Sequence, residues 1–123
     1  MAIKNILIVD DSATDRFYLT EILESAGYVV STAENGDECL VKVKENMPDL
    51  VVMDVIMPGL NGFQATRALS RNPDTAHIPV IMCTGKEVTD RAWALKQGAK
   101  ECVIKPASAE ELVGKIKLLE RAS

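Results

Sequence analysis

Acidic side chains that follow two apolar runs are the residues in this sequence best suited to chemistry. Asp10 and Asp11 follow the apolar residues 6–9, and Asp54 follows the apolar residues 50–53. Carboxylate oxygens are hard ligands that suit Mg²⁺, which usually takes one or two carboxylates directly and keeps several waters. A carboxylate can also attack phosphorus as a nucleophile and form an acyl phosphate. The three acids therefore predict a magnesium site in which Asp54 is the candidate nucleophile.

Two more apolar runs end in side chains that suit a phosphoryl group. Thr84 comes after residues 79–83, and Lys105 comes after residues 101–104. A hydroxyl can donate a hydrogen bond to a phosphoryl oxygen, and an ammonium can neutralise its charge. Taken singly, such residues are usually turn or surface residues. Their shared position, together with the acids, at the ends of four apolar runs indicates one common site.

The acids, Thr84 and Lys105 meet at one site if the apolar runs are parallel strands of one sheet. Short apolar runs bounded by polar and turn-forming residues are typical of buried parallel strands. Five such segments alternate with five predicted helices, and the predicted strands are residues 6–9, 28–33, 50–54, 79–83 and 101–104. This alternation predicts an α/β fold with a doubly wound parallel sheet and helices on both faces. The carboxyl ends of its strands share one edge, where such folds bind ligands.

Glycines and apolar spacing define the third and fourth predicted helices. The third helix is predicted to begin near Gly62, directly after a loop rich in turn-forming residues. In the fourth helix, Val88, Ala92 and Leu95 share the side predicted to face inward, and Gly98 closes the helix.

The bulk properties of the chain exclude several classes of partner. Its 123 residues fit one domain, and its net charge of −4 argues against direct binding to nucleic acid. No apolar run approaches the roughly 18 residues of a membrane span, and the N-terminus lacks the layout of a signal peptide. The three cysteines form no CxxC motif, which favours reduced thiols in the cytoplasm. We therefore expect a cytoplasmic protein that binds neither nucleic acid nor membrane.

The sequence lacks the residues of several common catalytic sites. His77 is the single histidine, so no Ser-His-Asp or Cys-His set can be assembled, and there is no P-loop and no GxGxxG motif. A flavodoxin-like flavin protein is one alternative, but no phosphate-cradling loop follows the first strand. A magnesium-dependent aspartyl phosphatase or phosphotransferase is another. That enzyme would need a second acid two residues after Asp54, where Ile56 stands.

The combined motifs resemble the receiver domain of bacterial two-component response regulators. The matching residues are Asp10, Asp11, Asp54, residues 57–62, Thr84, residues 98–99, Lys105 and Pro106. The resemblance covers nearly the whole chain and implies a flavodoxin-like sheet with the strand order 2-1-3-4-5. It also implies one receiver domain over residues 1–123 with no output domain. Residues 63–67, 92–93 and 97–99 are more narrowly similar to single-domain regulators of pilus-driven twitching motility.

The resemblance assigns a role to each candidate site residue. Asp54 would accept a phosphoryl group from a phosphohistidine of a sensor histidine kinase or of its phosphotransfer domain. Mg²⁺ would be bound directly by Asp11, Asp54 and the backbone carbonyl of Ile56, and through water by Asp10. Lys105 would pair with the phosphate, next to a cis peptide bond at Pro106.

The resemblance also implies a switch rather than an enzyme with a separate substrate. Thr84 would move to hydrogen-bond the phosphoryl oxygen, and the change would reach the face formed by the fourth helix, fifth strand and fifth helix. This face would control a downstream target protein, such as the pilus motor machinery. The alternative output is a phosphate sink or relay. We expect a monomer or weak dimer.

Some positions depart from the family pattern or tune it. Cys102, three residues before Lys105, stands where the family usually has the aromatic ring of the switch. Its presence would permit a pseudo-receiver that binds its partner without phosphorylation. The complete set of acids at the site argues against that alternative. Ile56 and Lys86 lie where family members tune hydrolysis of the acyl phosphate, and an apolar Ile56 predicts a long-lived phosphorylated form. Phe17, off the inward side of the first helix, is a candidate contact for the phosphotransfer domain.

Overall fold

Five strands and five helices alternate along the part of the chain that the computed structural model describes, residues 2–85 and 88–121. The strands are β1 (Asn5–Val9), β2 (Val29–Ala33), β3 (Leu50–Asp54), β4 (Val80–Thr84) and β5 (Glu101–Ile104). The helices are α1 (Ala13–Ser25), α2 (Gly36–Asn46), α3 (Gly62–Arg71), α4 (Val88–Gln97) and α5 (Ala109–Arg121). Each strand is followed by a helix, as the sequence predicted.

The strands form one parallel sheet in the order β2-β1-β3-β4-β5. This order confirms the predicted fold class and the order implied by the resemblance. It places β1 beside β3, where Val9 pairs with Met53. The residues that follow these two, Asp10 and Asp54, therefore lie next to each other at the carboxyl edge of the sheet.

Two hydrophobic layers, one on each face of the sheet, form the core. Successive side chains of a strand point to opposite faces, so Leu7 and Val9 join one layer while Ile6 and Ile8 join the other. Every residue of β3 and of β4 is buried. This burial on both faces explains why these strands read as continuous apolar runs rather than as alternating patterns.

The predicted inward side of the fourth helix was wrong. Ala92 and Leu95 are exposed, whereas Ala94 and Gln97 are buried. A polar Gln97 can be buried because Arg67 of α3 donates a hydrogen bond from Nε to its Oε1 at 2.6 Å. The side chain of Val88 lies outside the described part of the structure.

The start of α3 is fixed by a capping box that the sequence reading did not identify. Asn61 accepts a hydrogen bond from the Gln64 backbone N–H at 2.9 Å, and the Gln64 side chain accepts one from the Asn61 N–H at 3.0 Å. These bonds satisfy two donors at the helix N-terminus.

Among the described residues, no helix combines the length and apolar character needed to cross a membrane.

Candidate functional site

Three carboxylates converge at the carboxyl edge of the sheet. Asp10 and Asp11 follow β1, and Asp54 is the last residue of β3. Each contributes one carboxylate oxygen to a group in which all such atoms lie within 4.8 Å of one another. The structure thus brings together the three acids that the sequence proposed as magnesium ligands.

Lys105 reaches the same acids from the loop after β5. Its Nζ lies 2.8 Å from Asp10 Oδ2, 2.9 Å from Asp54 Oδ1 and 3.1 Å from Asp15 Oδ2. Its backbone N–H donates to the Thr84 carbonyl at 2.7 Å, which ties this loop to the end of β4. The peptide bond between Lys105 and Pro106 is cis, as the resemblance implied. The ammonium therefore contacts two carboxylates from the N-terminal part of the chain and one from its middle.

Asp10 is held firmly, whereas Asp11 is open to solvent. The Asp10 side chain is 1% exposed, and its Oδ1 accepts the Ser12 backbone N–H at 2.9 Å while Oδ2 contacts Lys105. The Asp10 backbone carbonyl accepts a hydrogen bond from Arg16 at 2.7 Å. Asp11 is exposed. Both oxygens of Asp10 are thus engaged by the protein, while Asp11 is free to meet a ligand from solvent.

The electrostatics of the site favour an added cation. Burial raises the pKa of Asp54 above its usual range, and the neighbouring charges of Asp10 and Asp11 act in the same direction. The hydrogen bond and charge of Lys105 oppose that rise. For Lys105, burial alone would lower the pKa, but hydrogen bonds to Asp10, Asp54 and Asp15 raise it overall. One ammonium does not balance four nearby carboxylates, and a divalent cation would relieve their repulsion.

The loop between β3 and α3 is packed directly against the backbone of Asp54. Gly62 donates its N–H to the Val55 carbonyl at 2.9 Å. A Cβ atom at Gly62 would lie only 2.1 Å from the Asp54 carbonyl oxygen. Only glycine allows this close approach. Ile56, in the loop that joins Asp54 to Gly62, has a side chain that is 76% exposed.

Other residues proposed from the sequence occupy varied positions. Thr84 is buried, with 3% exposure, at the end of β4, and Cys102 is buried in β5 with 7% exposure. Phe17 is 69% exposed on α1. Lys86 lies outside the described residues.

An aromatic pair joins α3 to α4 beside the site. Phe63 and Trp93 have ring centroids 6.4 Å apart at an interplanar angle of 83°, an edge-to-face arrangement. Lys96 Nζ lies 5.2 Å from the Trp93 ring centroid. Phe63 directly follows Gly62, so this pair is one residue from the contact with the Asp54 backbone.

The sequence reading missed Asp15 and Arg16 of α1. Asp15 pairs with Lys105 across 90 residues of sequence, and Arg16 binds the Asp10 carbonyl. The available signal was the position of Asp15 three residues after Ser12, a capping residue type, which places Asp15 in the first turn of a helix that starts at the sheet edge. A cavity of about 290 Å³ opens beside these residues, lined among others by Asp15, Tyr18 and Lys105.

Comparisons with known proteins agree with this geometry. A family model described as the response regulator receiver domain matches residues 6–117. Protein PilH of Pseudomonas aeruginosa is 48% identical over 109 residues, which cover 88% of this chain and 90% of PilH. The chain also matches several transcriptional regulators, of which it spans only about half the length.

Solved structures share the whole fold rather than one motif. A putative response regulator from Chloroflexus aurantiacus has a TM-score of 0.91 and 31% sequence identity, with 96% of this chain and 98% of that chain covered. The chemotaxis protein CheY4 of Vibrio cholerae has a TM-score of 0.87 and 30% identity, with coverage of 95% and 98%.

Proposed function

This chain belongs to the response regulator receiver domain family, and from that premise we propose that it is a signalling module switched by phosphorylation of Asp54. The observation that carries the proposal is the Asp54 carboxylate, which lies 2.9 Å from the Lys105 ammonium and has an oxygen within 4.8 Å of oxygens of Asp10 and Asp11. A nucleophile, a cation for the phosphoryl oxygens and ligands for a metal are thus present within one site.

The proposed reaction transfers a phosphoryl group from a phosphohistidine of a sensor kinase or its phosphotransfer domain. An Asp54 carboxylate oxygen attacks phosphorus and forms a P–O bond. The P–N bond to the imidazole breaks, and its electron pair stays on the imidazole nitrogen. Lys105 neutralises charge on the phosphoryl oxygens during the transfer. Water later attacks the acyl phosphate, releases inorganic phosphate and restores Asp54.

The donor set fits Mg²⁺, because it consists of oxygen atoms, and the exposed Asp11 gives it access to solvent. We assign Asp11, Asp54 and the backbone carbonyl of Ile56 as direct ligands. Asp10 acts through water, since both of its oxygens already have protein donors. When bound, the ion supplies positive charge that offsets the phosphoryl oxygens. Asp11, being exposed, is the ligand that can meet the hydrated ion first.

The output is assigned to the face formed by α4, β5 and α5. Thr84 is linked to this face because its carbonyl binds the Lys105 N–H at 2.7 Å. Trp93, Ile104 and Leu118, from these three elements, are 46%, 47% and 59% exposed, which leaves apolar area for a partner protein. Cys102 supplies no ring to a switch, so Thr84 and the loops must carry the change.

The partners follow from this assignment. They are a sensor kinase or its phosphotransfer domain, which Phe17 of α1 can contact, and a downstream protein in the cytoplasm. Control of pilus-based motility is the finer proposal, and it rests on the narrow resemblance of residues 63–67, 92–93 and 97–99 to twitching regulators. Action as a phosphate sink or relay is the second candidate, and of these the apolar, exposed Ile56, which cannot orient a hydrolytic water, favours a relay, because a sink needs fast hydrolysis. The same Ile56 disfavours a phosphatase, which needs a proton donor there.

Intact mass spectrometry tests the central assignment. Incubation with a small acyl phosphate and Mg²⁺ should add the mass of one phosphoryl group to the wild-type protein and none to Asp54→Asn. Asp74→Asn, which changes an exposed acid outside the site, should behave as wild type, and a chelator should abolish the gain. Equal modification of Asp54→Asn would place the phosphoryl group elsewhere and refute the proposal.

A further inference from the structure

Lys105 uses its full hydrogen-bonding capacity in this structure. An ammonium has three donors, and the Lys105 Nζ has three carboxylate partners, Asp10, Asp54 and Asp15, at 2.8, 2.9 and 3.1 Å. A phosphoryl group on Asp54 needs a donor from the same ammonium. The phosphoryl oxygens can take over the donor now directed at Asp54, and any second donor to them must come from Asp10 or Asp15.

Asp10 is poorly suited to release Lys105. Its side chain is 1% exposed, and its other oxygen is fixed by the Ser12 backbone N–H. Loss of the ammonium would leave a buried carboxylate oxygen without its donor, which is costly. Asp54 needs no separate donor after phosphorylation, because its phosphoryl oxygens take over the contact of its carboxylate.

Asp15 is the partner that can leave at low cost. Its side chain is 44% exposed, and it has the longest of the three contacts. It lies in the first turn of α1 and borders the cavity of about 290 Å³ beside Lys105, so it has room to rotate into solvent. Exposed ion pairs contribute little to stability, so breaking this one is inexpensive.

We propose that Asp15 is a positioning residue that holds the Lys105 ammonium in the unphosphorylated protein and competes with the phosphoryl group for it. This inference rests on the proposed function and deepens it. Asp15 also places a negative charge near the arriving phosphoryl oxygens. Both effects oppose phosphorylation, so the resting state is favoured by an acid that the magnesium site does not use.

The sign of the effect separates this role from a metal-binding role. If Asp15 served mainly to attract Mg²⁺, its neutralisation would weaken binding of a phosphoryl group along with the metal. If it competes for Lys105, neutralisation strengthens binding of the phosphoryl group at saturating Mg²⁺. The difference should shrink at high ionic strength, because the Asp15 pair is partly exposed and is screened by salt.

Beryllium fluoride, which mimics a phosphoryl group on a carboxylate, provides the test. At saturating Mg²⁺, its affinity measured by calorimetry or fluorine NMR should rise about two- to fivefold in Asp15→Asn, the range expected for one exposed ion pair. Asp15→Glu, which keeps the charge, should stay close to wild type. Asp74→Asn, with the same change in net charge outside the site, should leave the affinity unchanged.

The outcomes test the proposed function and the role of Asp15 separately. Wild-type protein that binds no beryllium fluoride would overturn the proposed function and this inference with it. Wild-type binding combined with equal or weaker binding by Asp15→Asn would overturn the role of Asp15 alone. An equal gain in Asp74→Asn would also overturn it, since the effect would then be one of net charge.

Discussion

The Lys105 ammonium lies 2.9 Å from Asp54 Oδ1, although β5 and β3 are separated in the sheet by β4. The lysine side chain must therefore extend across the end of β4 to reach the acids. A metal ion bound as proposed would compete with the ammonium for the same carboxylates. Removal of either one should change the behaviour of the other.

Replacement of Lys105 should separate metal binding from phosphorylation. We expect Lys105→Met to slow phosphorylation of Asp54 by about tenfold or more, because a hydrogen bond to a charged group contributes about 1.5–3 kcal/mol. The same variant should bind Mg²⁺ more tightly, since a competing positive charge is gone. Intact mass measured over time and calorimetric titration of Mg²⁺ check the two effects. Lys117→Met, at an exposed position of α5, is the matched control. A fall in both quantities would contradict the expected competition.

Thr66 offers a stabilising substitution. Its side chain is fully buried in α3, and its Oγ1 has no hydrogen-bond partner within the described part of the chain. We expect Thr66→Val, which keeps the shape and removes the unsatisfied hydroxyl, to raise the free energy of unfolding by about 1 kcal/mol. Denaturation with urea measures the change.

Thr75 is the matched control for this substitution. It is equally buried, but its Oγ1 donates to the Leu69 carbonyl at 2.7 Å. Thr75→Val should lower the free energy of unfolding by about 1 kcal/mol, because the carbonyl loses its donor. Changes of the same sign in the two variants would show that the Thr66 hydroxyl is satisfied in solution.

Trp93 should report on the state of Asp54. It is the single tryptophan of the chain, and its ring contacts Phe63, which follows the Gly62 contact with the Asp54 backbone. We expect beryllium fluoride with Mg²⁺ to change Trp93 fluorescence in the wild type and to change it much less in Phe63→Leu. Phe17→Leu, at an exposed position of α1, should retain the full response. An unaltered response in Phe63→Leu would exclude this route.

The Cys39 thiol should make stability decrease in alkaline solution. Burial raises its pKa from 9.0 to about 12. The folded protein therefore keeps a proton that the unfolded chain loses, so this contribution is complete below about pH 9 and is lost as the pH rises towards 12. The loss approaches about 1.4 kcal/mol per pH unit.

Cys39→Ala isolates this contribution from other groups that titrate at high pH. The variant should be less stable at neutral pH, because it leaves a cavity in the core. Its free energy of unfolding should nevertheless fall less steeply above pH 9 than that of the wild type. Urea denaturation at several pH values gives both slopes, and parallel slopes would contradict a raised pKa for Cys39.

The sequence predicted the elements of the fold and the convergence of the acids for one physical reason. Strands buried on both faces must be apolar throughout, so the first polar residue, Asp10 or Asp54, marks the strand end. The order of the strands did not follow from periodicity and came from the family resemblance. Where a residue's surroundings were set by its own segment, the sequence was mostly sufficient, and the capping box of Asn61 and Gln64 was the exception.

Contacts between distant segments were not predictable in this way. The pairing of Asp15 with Lys105 depends on how α1 is rotated against the loop after β5. The inward position of Gln97 depends on a donor from Arg67 in another helix. In both cases a polar side chain, normally assigned to solvent, is satisfied by a partner that the local pattern does not contain.

The complete burial of β3 and β4 limits where the protein can change shape. Neither strand can bend or slide without opening packed layers above and below it, and that would cost far more than one new charge at the sheet edge can supply. Adjustment is therefore confined to the connecting loops, the surrounding helices and the peripheral strand β5, whose Ile104 is already 47% exposed. The two central strands therefore form a fixed support, and the parts of the molecule that can respond surround them.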